Sequence, residues 1–577
     1  MSNREIAAAF TQIADLLEVK GEDRFRVNAY RSAGRAVADL SEDLAVIAGR
    51  GDLAKIPGIG KTTAAKIEEY LATGRIALHQ ELLAEFPPGL PRLLEVRGLG
   101  PKKVAALYRE LKIGSLEELR AAIADGRVAG LKGFGAKTAA NILEGIAFLE
   151  RAGERMPLGL AVELAGLLRE AVGGFPHVRR VEIAGSLRRG RETVGDLDLL
   201  CEADAGHGQS IIERFTKLPQ VASVLAAGET RGSVLIDRRD GGQIQCDLRV
   251  VPRESFGAAW NYFTGSKEHN VRLRELAVKR GWSLNEYALH EGERRIAGED
   301  EAGLYKALGL AFIPPELREN RGEIEAGGVV PDLIEQADVR GELHSHTTAS
   351  DGHLSIEQMV EAARARGYSY LAITDHSRSS VIANGLSVER LLRHAAEIRR
   401  INAGLKNFTL LAGVECDILP DGSLDYPDEV LAQLDWVVAS VHSSQRLDRA
   451  AQTRRTLAAL SNRYVCVLGH PSGRLIGKRD AMDLDWDAVF KTAAKTGTAL
   501  EINANWLRLD LKDVHVRQAL QAGCRLSINT DAHSAEDLDQ MVFGVQTARR
   551  GWATRSRVLN TLTADELTAW VAQRRGR

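Results

Sequence analysis

The feature that most constrains the fold is a set of apolar runs in the C-terminal part of the chain that each end in histidine, aspartate or glutamate. Six runs follow this pattern, at 341–346, 370–376, 410–415, 436–442, 464–470 and 526–533, and a seventh apolar run covers 498–502. Helical stretches separate the runs, as in folds built from strand–helix units. In a β/α barrel the carboxyl ends of the strands converge on one mouth, where active sites lie. The pattern therefore predicts a parallel barrel with polar side chains gathered at one end.

The residues at these strand ends have the mixed chemistry of a metal site. One histidine at a strand end is more often a hydrogen-bonded core residue, but six such strand ends are too many for coincidence. Nine of the 14 histidines lie at or after residue 344. Imidazole and carboxylate ligands together favour Zn²⁺, Mn²⁺ or Fe²⁺ over Ca²⁺. Bridged ions of this kind can clamp a phosphodiester during in-line attack, so we expect metal-dependent phosphodiester chemistry in this region.

Two aspartates in 184–200 share one face of a predicted strand. Side chains alternate along a strand, so Asp196 and Asp198 point to the same side while the leucines between them face the core. Two carboxylates this close repel each other unless cations lie between them, and Mg²⁺ with bound phosphates meets that need. A third carboxylate, Asp247, lies on the polar side of the run 243–249. A turn or helix cap would explain an isolated Asp-x-Asp, but the preceding Gly-Ser and arginines favour a triphosphate site.

A Gly-x-Gly pattern occurs three times in the helical N-terminal region, at 56–60, 96–100 and 131–135. Glycine lets the backbone approach a ligand closely, and the helix that follows offers free N–H groups and a positive dipole end to a phosphate. A plain corner between helices would explain one copy, but three copies followed by lysines favour contacts with DNA phosphates that do not read sequence. The predicted DNA-binding residues are Gly58, Gly60, Lys61, Gly98, Gly100, Lys102, Lys103, Gly133, Gly135 and Lys137.

Length and composition exclude several classes of protein. A chain of 577 residues is too long for one core, and 44% hydrophobic with 27% charged residues excludes a largely disordered or fibrous chain. No apolar run approaches the roughly 18–20 residues of a membrane span. Since the five cysteines are far apart and the N-terminus lacks an apolar leader, we expect a cytoplasmic protein with reduced thiols and no membrane partner. The net charge of −2 does not indicate a nucleic-acid binder, but residues 97–137 carry nine basic against four acidic residues. That surplus fits a phosphate-binding surface or an ordinary solvated helix face.

The segment around the paired aspartates resembles the nucleotidyltransferase palm of family X DNA polymerases, and residues 260–274 resemble that family's nucleotide-binding segment. The resemblance implies that Asp196, Asp198 and Asp247 hold two Mg²⁺ ions, with Asp247 nearest the primer 3′ hydroxyl. It implies nucleotide contacts from Ser186, Arg189, Gly195, Tyr262, Phe263, Gly265, Lys267, Asn270 and Arg274. Lys267 stands where many animal relatives carry an acidic residue, and we expect this cation to strengthen nucleotide binding. Without the resemblance, the two aromatic residues would be read as core residues.

The glycine repeats resemble the helix-hairpin-helix motif of DNA repair proteins. Lys66 matches the position of the lyase nucleophile in some relatives, although an ordinary surface lysine is the commoner explanation.

The C-terminal motifs resemble a PHP (polymerase and histidinol phosphatase) domain, a distorted seven-stranded barrel with a trinuclear Mn²⁺ or Zn²⁺ site. The implied ligands are His344, His346, Asp351, His376, Glu415, His442, His470, Asp531 and His533. One grouping places His344, His346, Glu415 and Asp531 on one metal, His442 and His470 with the bridging Glu415 on a second, and Asp351, His376 and His533 on a third. Three other histidines, His353, His394 and His515, are expected on the surface. Asn503, Asn505 and Arg508 either contact substrate or form a polar loop.

These resemblances cover nearly the whole chain and predict a multidomain α/β protein with helical hairpin domains, an α+β palm and a distorted seven-stranded β/α barrel. They imply a DNA polymerase that fills short gaps in repair and a 3′–5′ exonuclease, acting as a monomer on gapped or primer–template DNA and deoxynucleoside triphosphates. The alternatives are a PHP nuclease with a vestigial polymerase half, which the intact aspartates count against, and a non-enzymatic DNA-binding scaffold. The predicted domains are helical regions at 1–80 and 81–155, a palm at 156–250, a nucleotide-binding subdomain at 251–320, a linker at 321–338 and the barrel at 339–577.

Overall fold

The computed structural model of the chain describes residues 3–38, 44–56, 58–94, 96, 99–131, 133–135, 138–143, 145–146, 155–240 and 242–576. The predicted DNA-binding residues Gly98 and Lys137 therefore lie outside the described residues. Across the described ranges, we find no helix with both the length and the apolar character needed to cross a membrane.

The N-terminal region is helical, as its apolar spacing predicts. Residues Ile6, Phe10, Ile13 and Leu17 recur every three or four positions and so lie on one buried face of the first helix. The same apolar cluster continues to Ile146, so the hairpin segments share a core with the first helix. The helices are α1 Asn3–Lys20, α2 Arg24–Ala38, α3 Leu44–Gly49, α4 Lys61–Thr73, α5 Ala77–Glu85, α6 Leu90–Leu94, α7 Pro101–Leu111 and α8 Leu116–Ala124, with further helical residues at 138–143 and 145–146.

The palm is a five-stranded sheet in the order β2-β4-β7-β6-β5, with β1 and β3 forming a separate pair. Neighbouring strands are antiparallel except β4 and β7, which run parallel. Buried apolar residues alternate with polar ones along β7, so one face of the sheet packs into the core. The strands and helices are β1 Met156–Pro157, α9 Leu158–Gly173, β2 Val178–Ile183, α10 Gly185–Arg188, β3 Thr193–Val194, β4 Asp196–Ala203, α11 Gly208–Phe215, β5 Val221–Ala227, β6 Arg231–Asp237 and β7 Gln243–Val251.

A smaller unit follows the palm and packs around its own apolar cluster, which includes Leu273, Leu304 and Ile313. Its elements are α12 Phe256–Thr264, α13 Lys267–Val278, β8 Ser283–Leu284, β9 Leu289–Glu291, β10 Arg294–Ala297 and α14 Glu301–Ala307. The segment 321–338, expected as a linker, runs from this unit to the barrel. Parts of it are packed, because Ile334 is fully buried and Glu323 Oε1 lies 2.8 Å from the ring of His269, whereas Val329 and Gln336 are exposed.

The C-terminal region forms the predicted barrel of seven parallel strands in sequential order, and this prediction is confirmed. The barrel nearly closes between its first and last strands, where Ala532 N donates to the His344 carbonyl and His346 N donates to the Ala532 carbonyl. The strands are β11 Gly341–Ser345, β12 Tyr370–Ile373, β13 Thr409–Asp417, β14 Trp436–Ser440, β15 Val467–Leu468, β16 Ala499–Asn503 and β17 Leu526–Asn529. The helices are α15 Ile356–Ala365, α16 Val388–Gly404, α17 Asp428–Leu431, α18 Arg449–Ser461, α19 Trp486–Thr496, α20 Asp513–Gln521, α21 Met541–Arg550 and α22 Ala564–Arg575.

The palm and the barrel pack directly against each other. Leu509, from the loop after β16, belongs to the apolar core of the palm, and Ile476 and Phe543 pack against the same core. Polar contacts join the two parts as well, since Arg474 Nη2 donates to Glu192 Oε2 over 2.7 Å. These contacts place the loop between β2 and β4 against the barrel.

Candidate functional site

The three predicted palm carboxylates meet on one face of the sheet. Alternation along β4 puts Asp196 and Asp198 on one face, with fully buried leucines on the other. The parallel pairing of β4 with β7 sets Asp198 directly beside Asp247. Asp247 is held in place by Ser233 Oγ and by Gln245 Nε2, which donates over 3.0 Å.

The charges of these three carboxylates are suited to binding divalent cations, which take oxygen ligands. Burial, together with the charges of Asp196 and Asp247, raises the pKa of Asp198 to about 7. Burial and the charge of Asp247 also raise the pKa of Asp196. Three carboxylates that disfavour one another's charge are the donor set that Mg²⁺ relieves. The chemistry of these residues therefore fits divalent cations.

A glycine makes this arrangement sterically possible. Gly185 begins α10 with φ +63°, and a Cβ built there would overlap Oδ2 of Asp198. The backbone of the Gly-Ser turn consequently lies directly against the carboxylate. This is a position where a side chain has neither the conformation nor the space it needs.

A cavity of about 810 Å³ lies beside the carboxylates and joins most of the predicted nucleotide-binding residues. Its described lining includes Ser186, Arg189, Asp196, Asp198, Tyr262, Phe263, Gly265, Lys267, Asn270 and Arg274. Gly195 and Asp247 are not among those lining residues. Gly195 directly precedes Asp196 in the sequence, and Asp247 pairs with Asp198 across the sheet. Two arginines and a lysine facing two aspartates make the cavity suited to a polyanion that arrives with cations.

Of the two aromatic residues of the cavity, Tyr262 is exposed, whereas Phe263 is partly buried against a small apolar cluster. Tyr262 is 37% exposed, and its ring meets that of Phe263 edge-on with centroids 5.2 Å apart. Asn270 Nδ2 donates to the Tyr262 carbonyl over 2.7 Å, whereas its buried Oδ1 has no hydrogen-bond partner among the described residues. An acceptor left open in this way is available to a ligand.

The barrel gathers the nine predicted ligands around Glu415, whose side chain is fully buried. Glu415 Oε1 lies 2.8 Å from His470 Nε2 and 3.3 Å from His442 Nε2. The other oxygen, Oε2, lies 2.9 Å from His376 Nδ1. Three groups of side chains have donor atoms close enough to share an ion: His344, His346, Glu415 and Asp531; His376, Glu415 and His442; and His346, Asp351, His376 and His533.

The expected grouping is close to this arrangement but differs in two places. His346 and His376 each belong to two groups, so they lie between neighbouring sites rather than at one site. His470 contacts Glu415 but is outside the three groups. The first group has the membership that the resemblance implies.

The barrel cluster also passes a chemical test for metal binding. Within the described residues, five of its buried polar atoms make no hydrogen bond of normal geometry, although His376 Nδ1 and Glu415 Oε2 lie 2.9 Å apart: His344 Nε2, His346 Nδ1, His376 Nδ1, Glu415 Oε2 and His470 Nδ1. Buried polar atoms are almost always paired, so this concentration requires an explanation. Imidazole nitrogens with carboxylate oxygens are the donors that transition metals take.

Comparison with known proteins identifies the families that the parts of the chain match. Family models match the chain as a helix-hairpin-helix domain over 1–76, a SAM-like helix-hairpin-helix tandem over 90–147, a DNA polymerase beta thumb over 259–319 and a PHP domain over 342–505. The chain is 41% identical over 576 residues to the DNA polymerase/3'-5' exonuclease PolX of Bacillus subtilis (strain 168), and the match covers 99% of both chains. The chain belongs to the family X DNA polymerases that carry a PHP domain.

Two further relatives match parts of this family X polymerase. DNA polymerase lambda of Rattus norvegicus is 27% identical over 346 residues, which cover 55% of the chain and 56% of the relative. A probable phosphatase of Photobacterium profundum is 30% identical over 206 residues, 34% of the chain and 78% of the relative.

Carboxylates that sequence reasoning missed orient the metal-site histidines of the polymerase. Glu501 Oε1 lies 2.7 Å from His344 Nδ1, and Asp417 Oδ1 lies 2.6 Å from His442 Nδ1. Such partners fix which ring nitrogen faces a metal. The signal was present, because Glu501 lies in the seventh apolar run and Asp417 lies two residues after Glu415 on the same strand.

Of the three histidines expected on the surface, one is exposed and two are not. His353 is exposed. His394 is largely buried, with Nε2 2.8 Å from the buried carboxylate of Asp375, which also accepts hydrogen bonds from the loop before Asp351. His515 packs on the ring of Trp486, with centroids 4.3 Å apart. The surface expectation is therefore wrong for these two, because neighbouring carboxylate and aromatic groups cover them.

The described parts of the hairpins have the geometry of phosphate-binding turns. Gly58 and Gly133 have φ of +92° and +90°, in the region that favours glycine. Gly60 and Gly100 cap the N-termini of α4 and α7, and a Cβ at either would meet open space. The lysines Lys61 and Lys102 are exposed beside these helix ends, Lys103 is half-buried, and Gly135 also faces open space. Lys66, one turn further on, is ion-paired with Glu69 over 2.6 Å.

Proposed function

We propose that this family X polymerase adds nucleotides to primer ends in short DNA gaps at the palm and removes 3′-terminal nucleotides at the barrel. The observation that carries the proposal is that the palm carboxylates and the barrel cluster are two separate groups of metal-binding side-chain types. The aspartates adjoin a cavity with cationic walls, and the barrel cluster uses no palm residue.

At the palm, Asp196, Asp198 and Asp247 are proposed to hold two Mg²⁺ ions. When bound, these ions would offset the charge of the triphosphate and activate the primer hydroxyl. Asp247, fixed by Ser233 and Gln245, is the carboxylate that we assign to the primer 3′ hydroxyl. Its place beside Asp198 but outside the cavity lining supports a primer terminus separate from the incoming nucleotide.

The cavity residues are proposed to position the incoming nucleotide. Ser186, Arg189 and Lys267 would contact the phosphates, and Gly195 would approach them through its backbone. Tyr262 and Phe263 would limit the space around the sugar. Gly265 follows them in the sequence and also lines the cavity. Asn270 and Arg274 would face the nascent base pair, and the open Oδ1 of Asn270 supports this assignment.

At the barrel, the nine histidine and carboxylate residues are proposed to hold up to three Mn²⁺ or Zn²⁺ ions. When bound, these ions would supply a nucleophilic water and neutralise the phosphodiester. Glu501 and Asp417 hold the rings of His344 and His442 in place. Arg508 Nε lies 3.7 Å from Asp531 Oδ2, at the rim of the cluster, and is proposed to contact the scissile phosphate.

The helical residues 1–155 are proposed to hold gapped or primer–template DNA through its phosphates, which supports a role in repair. We keep the division at 156–250, 251–320, 321–338 and 339–577 for the palm, nucleotide-binding subdomain, connecting segment and barrel, and propose that the chain acts as a monomer.

Primer extension and DNA degradation by one preparation test the proposal. The double variant Asp196→Asn with Asp198→Asn should abolish extension of a primer in a one-nucleotide gap and leave 3′–5′ degradation intact. Asp204→Asn, a surface carboxylate just after β4 that pairs with Arg179, is the matched control and should retain both activities. A wild-type chain that degrades but never extends DNA would support the vestigial palm instead, and a chain with neither activity would support the scaffold.

A further inference from the structure

The loop that carries Arg189 lies against a helix of the barrel. Residues 189–192 connect α10 to β3, and Gly190 in this loop has φ +66°. A Cβ built at Gly190 would overlap the side chain of Gln546, which lies on α21. The barrel therefore covers the outer side of the loop whose inner side lines the nucleotide cavity.

Arg550, at the end of α21, fastens this contact. The side chain is 4% exposed, and its Nη1 donates to the Arg189 carbonyl oxygen over 2.6 Å and to Glu319 Oε1 over 3.1 Å. Its Nη2 donates to Asp513 Oδ2 over 2.8 Å. One guanidinium thus joins the barrel, the palm loop and the end of the nucleotide-binding subdomain.

Glu319 links Arg550 to the guanidinium of Arg189 by accepting hydrogen bonds from both. The same oxygen that accepts from Arg550 accepts from Arg189 Nε over 3.1 Å, and Arg189 Nη1 donates to the Thr264 carbonyl. Two nitrogens of the Arg189 fork are therefore held in place before any nucleotide arrives. A side chain ordered in advance loses less conformational entropy when it binds a ligand.

The charges in this network leave a positive surplus beside the cavity. Arg191 also faces Glu319, at 3.4 Å, and Arg321 also faces Asp513, at 3.0 Å. The four guanidinium groups of Arg189, Arg191, Arg321 and Arg550 thus face two carboxylates, so two positive charges are not neutralised within the network. A triphosphate entering the cavity is the group that such a surplus favours.

We propose that Arg550 is a positioning residue for nucleotide addition: the barrel holds Arg189, through its carbonyl and through Glu319, in the orientation that meets the triphosphate. The inference rests on the proposed function, in which Arg189 contacts the phosphates. It makes the barrel part of the nucleotide site of the palm, although the two metal clusters remain separate.

The test compares nucleotide binding with catalysis in Arg550→Ala. We expect the KM for the nucleotide in a one-nucleotide gap to rise about tenfold, as for loss of a charged hydrogen-bond partner, with kcat within about twofold of wild type. Binding of the nucleotide to the full chain on gapped DNA with a dideoxy-terminated primer should weaken by the same factor, without any reaction. Degradation of DNA should be unchanged, because no hydrogen bond or ion pair in the described part of the chain joins Arg550 to the barrel cluster.

Two variants separate positioning from general stability. Arg550→Lys keeps the charge, but its donors all lie on one nitrogen and cannot replace both Nη1 and Nη2, so it should recover part of the affinity. If the alanine variant does not fold, an unchanged KM in Arg550→Lys overturns the inference. Arg366→Ala removes a barrel arginine that pairs with Asp539 over 2.7 Å, within the barrel, and should leave nucleotide affinity unchanged. A fall of kcat and DNA degradation together in Arg550→Ala would show a structural role and overturn positioning.

Arg189→Ala distinguishes failure of this inference from failure of the proposed function. If Arg189→Ala weakens nucleotide binding and Arg550→Ala does not, the inference is wrong and the role of Arg189 stands. If Arg189→Ala leaves nucleotide binding unchanged, the proposed role of Arg189 is wrong and the inference fails with it.

Discussion

Gly185→Ala should inactivate the palm while leaving the barrel active. The new Cβ would lie only 2.1 Å from Oδ2 of Asp198, so either the carboxylate or the turn must move. The backbone at Gly185 also has φ +63°, which an alanine adopts only with strain. Both effects act on the carboxylates that are proposed to hold Mg²⁺.

The magnitude follows from the two effects separately. The left-handed backbone costs an alanine about 1–2 kcal/mol of folding free energy. Restoring van der Waals contact requires a shift on the order of 1 Å, and misplacement of a catalytic group by that distance can cost about 100-fold in rate. The rate loss corresponds to about 2.7 kcal/mol of transition-state stabilisation. We therefore expect kcat for gap filling to fall about 100-fold, with a modest loss of thermal stability.

Gly206→Ala is the matched control, because Gly206 has φ +82° but open space around its Cβ position. It carries the backbone strain without the clash, so its unfolding midpoint should fall while gap filling is retained. Single-turnover gap filling, exonuclease rate and thermal unfolding would be measured on both variants. Gap filling by Gly185→Ala within twofold of wild type, or equal losses in the two variants, would refute the reasoning.

Three further predictions concern the other parts of the chain. Glu415→Gln removes a charge that several barrel histidines contact, so DNA degradation should fall at least about 10³-fold, on the order of 4 kcal/mol. Primer extension should persist. Degradation that survives the change would place cleavage elsewhere. Because burial and the neighbouring aspartates raise the pKa of Asp198 to about 7, the folded state binds this proton more tightly than the unfolded state. In chelator, stability should therefore fall as the pH rises from about 4 to 7, and Asp198→Asn should raise stability by about 2–4 kcal/mol at pH 8 but little near pH 4, measured by thermal unfolding. Gly58→Val should weaken DNA binding about tenfold at low salt and lower the salt dependence of binding. Gly21 also has a positive φ, +88°, but lies away from the hairpins, so Gly21→Val should leave DNA binding unchanged. Equal effects of the two variants in anisotropy titrations would contradict a phosphate-binding turn.

Much of the site could be predicted because its signals are local. Asp196 and Asp198 share a face on any strand, since side chains alternate with a period of two residues. Histidines and carboxylates at successive strand ends meet in any parallel barrel, since the strands all point the same way. These are properties of backbone geometry, so the residue spacing alone was sufficient to place Glu415 and its neighbours in one cluster.

The remaining features depend on contacts between distant segments. The parallel pairing that sets Asp198 beside Asp247 is a choice among strand orders that spacing does not determine. The pairing of Glu501 with His344 depends on which barrel strands turn their side chains towards each other.

The clearest division is between what each half contains and how the halves meet. Periodicity and motif spacing predicted three carboxylates on or near strands and a barrel with a histidine-rich mouth, and the family resemblance added that the carboxylates belong to a palm. Only the tertiary structure decided that Arg550, 361 residues after Arg189, donates to its carbonyl oxygen. From the sequence alone, Arg550 cannot be told apart from an arginine on any exposed helix. Its partners depend on how α21 packs on the palm loop, and that complementarity of two surfaces leaves no periodic pattern in the sequence.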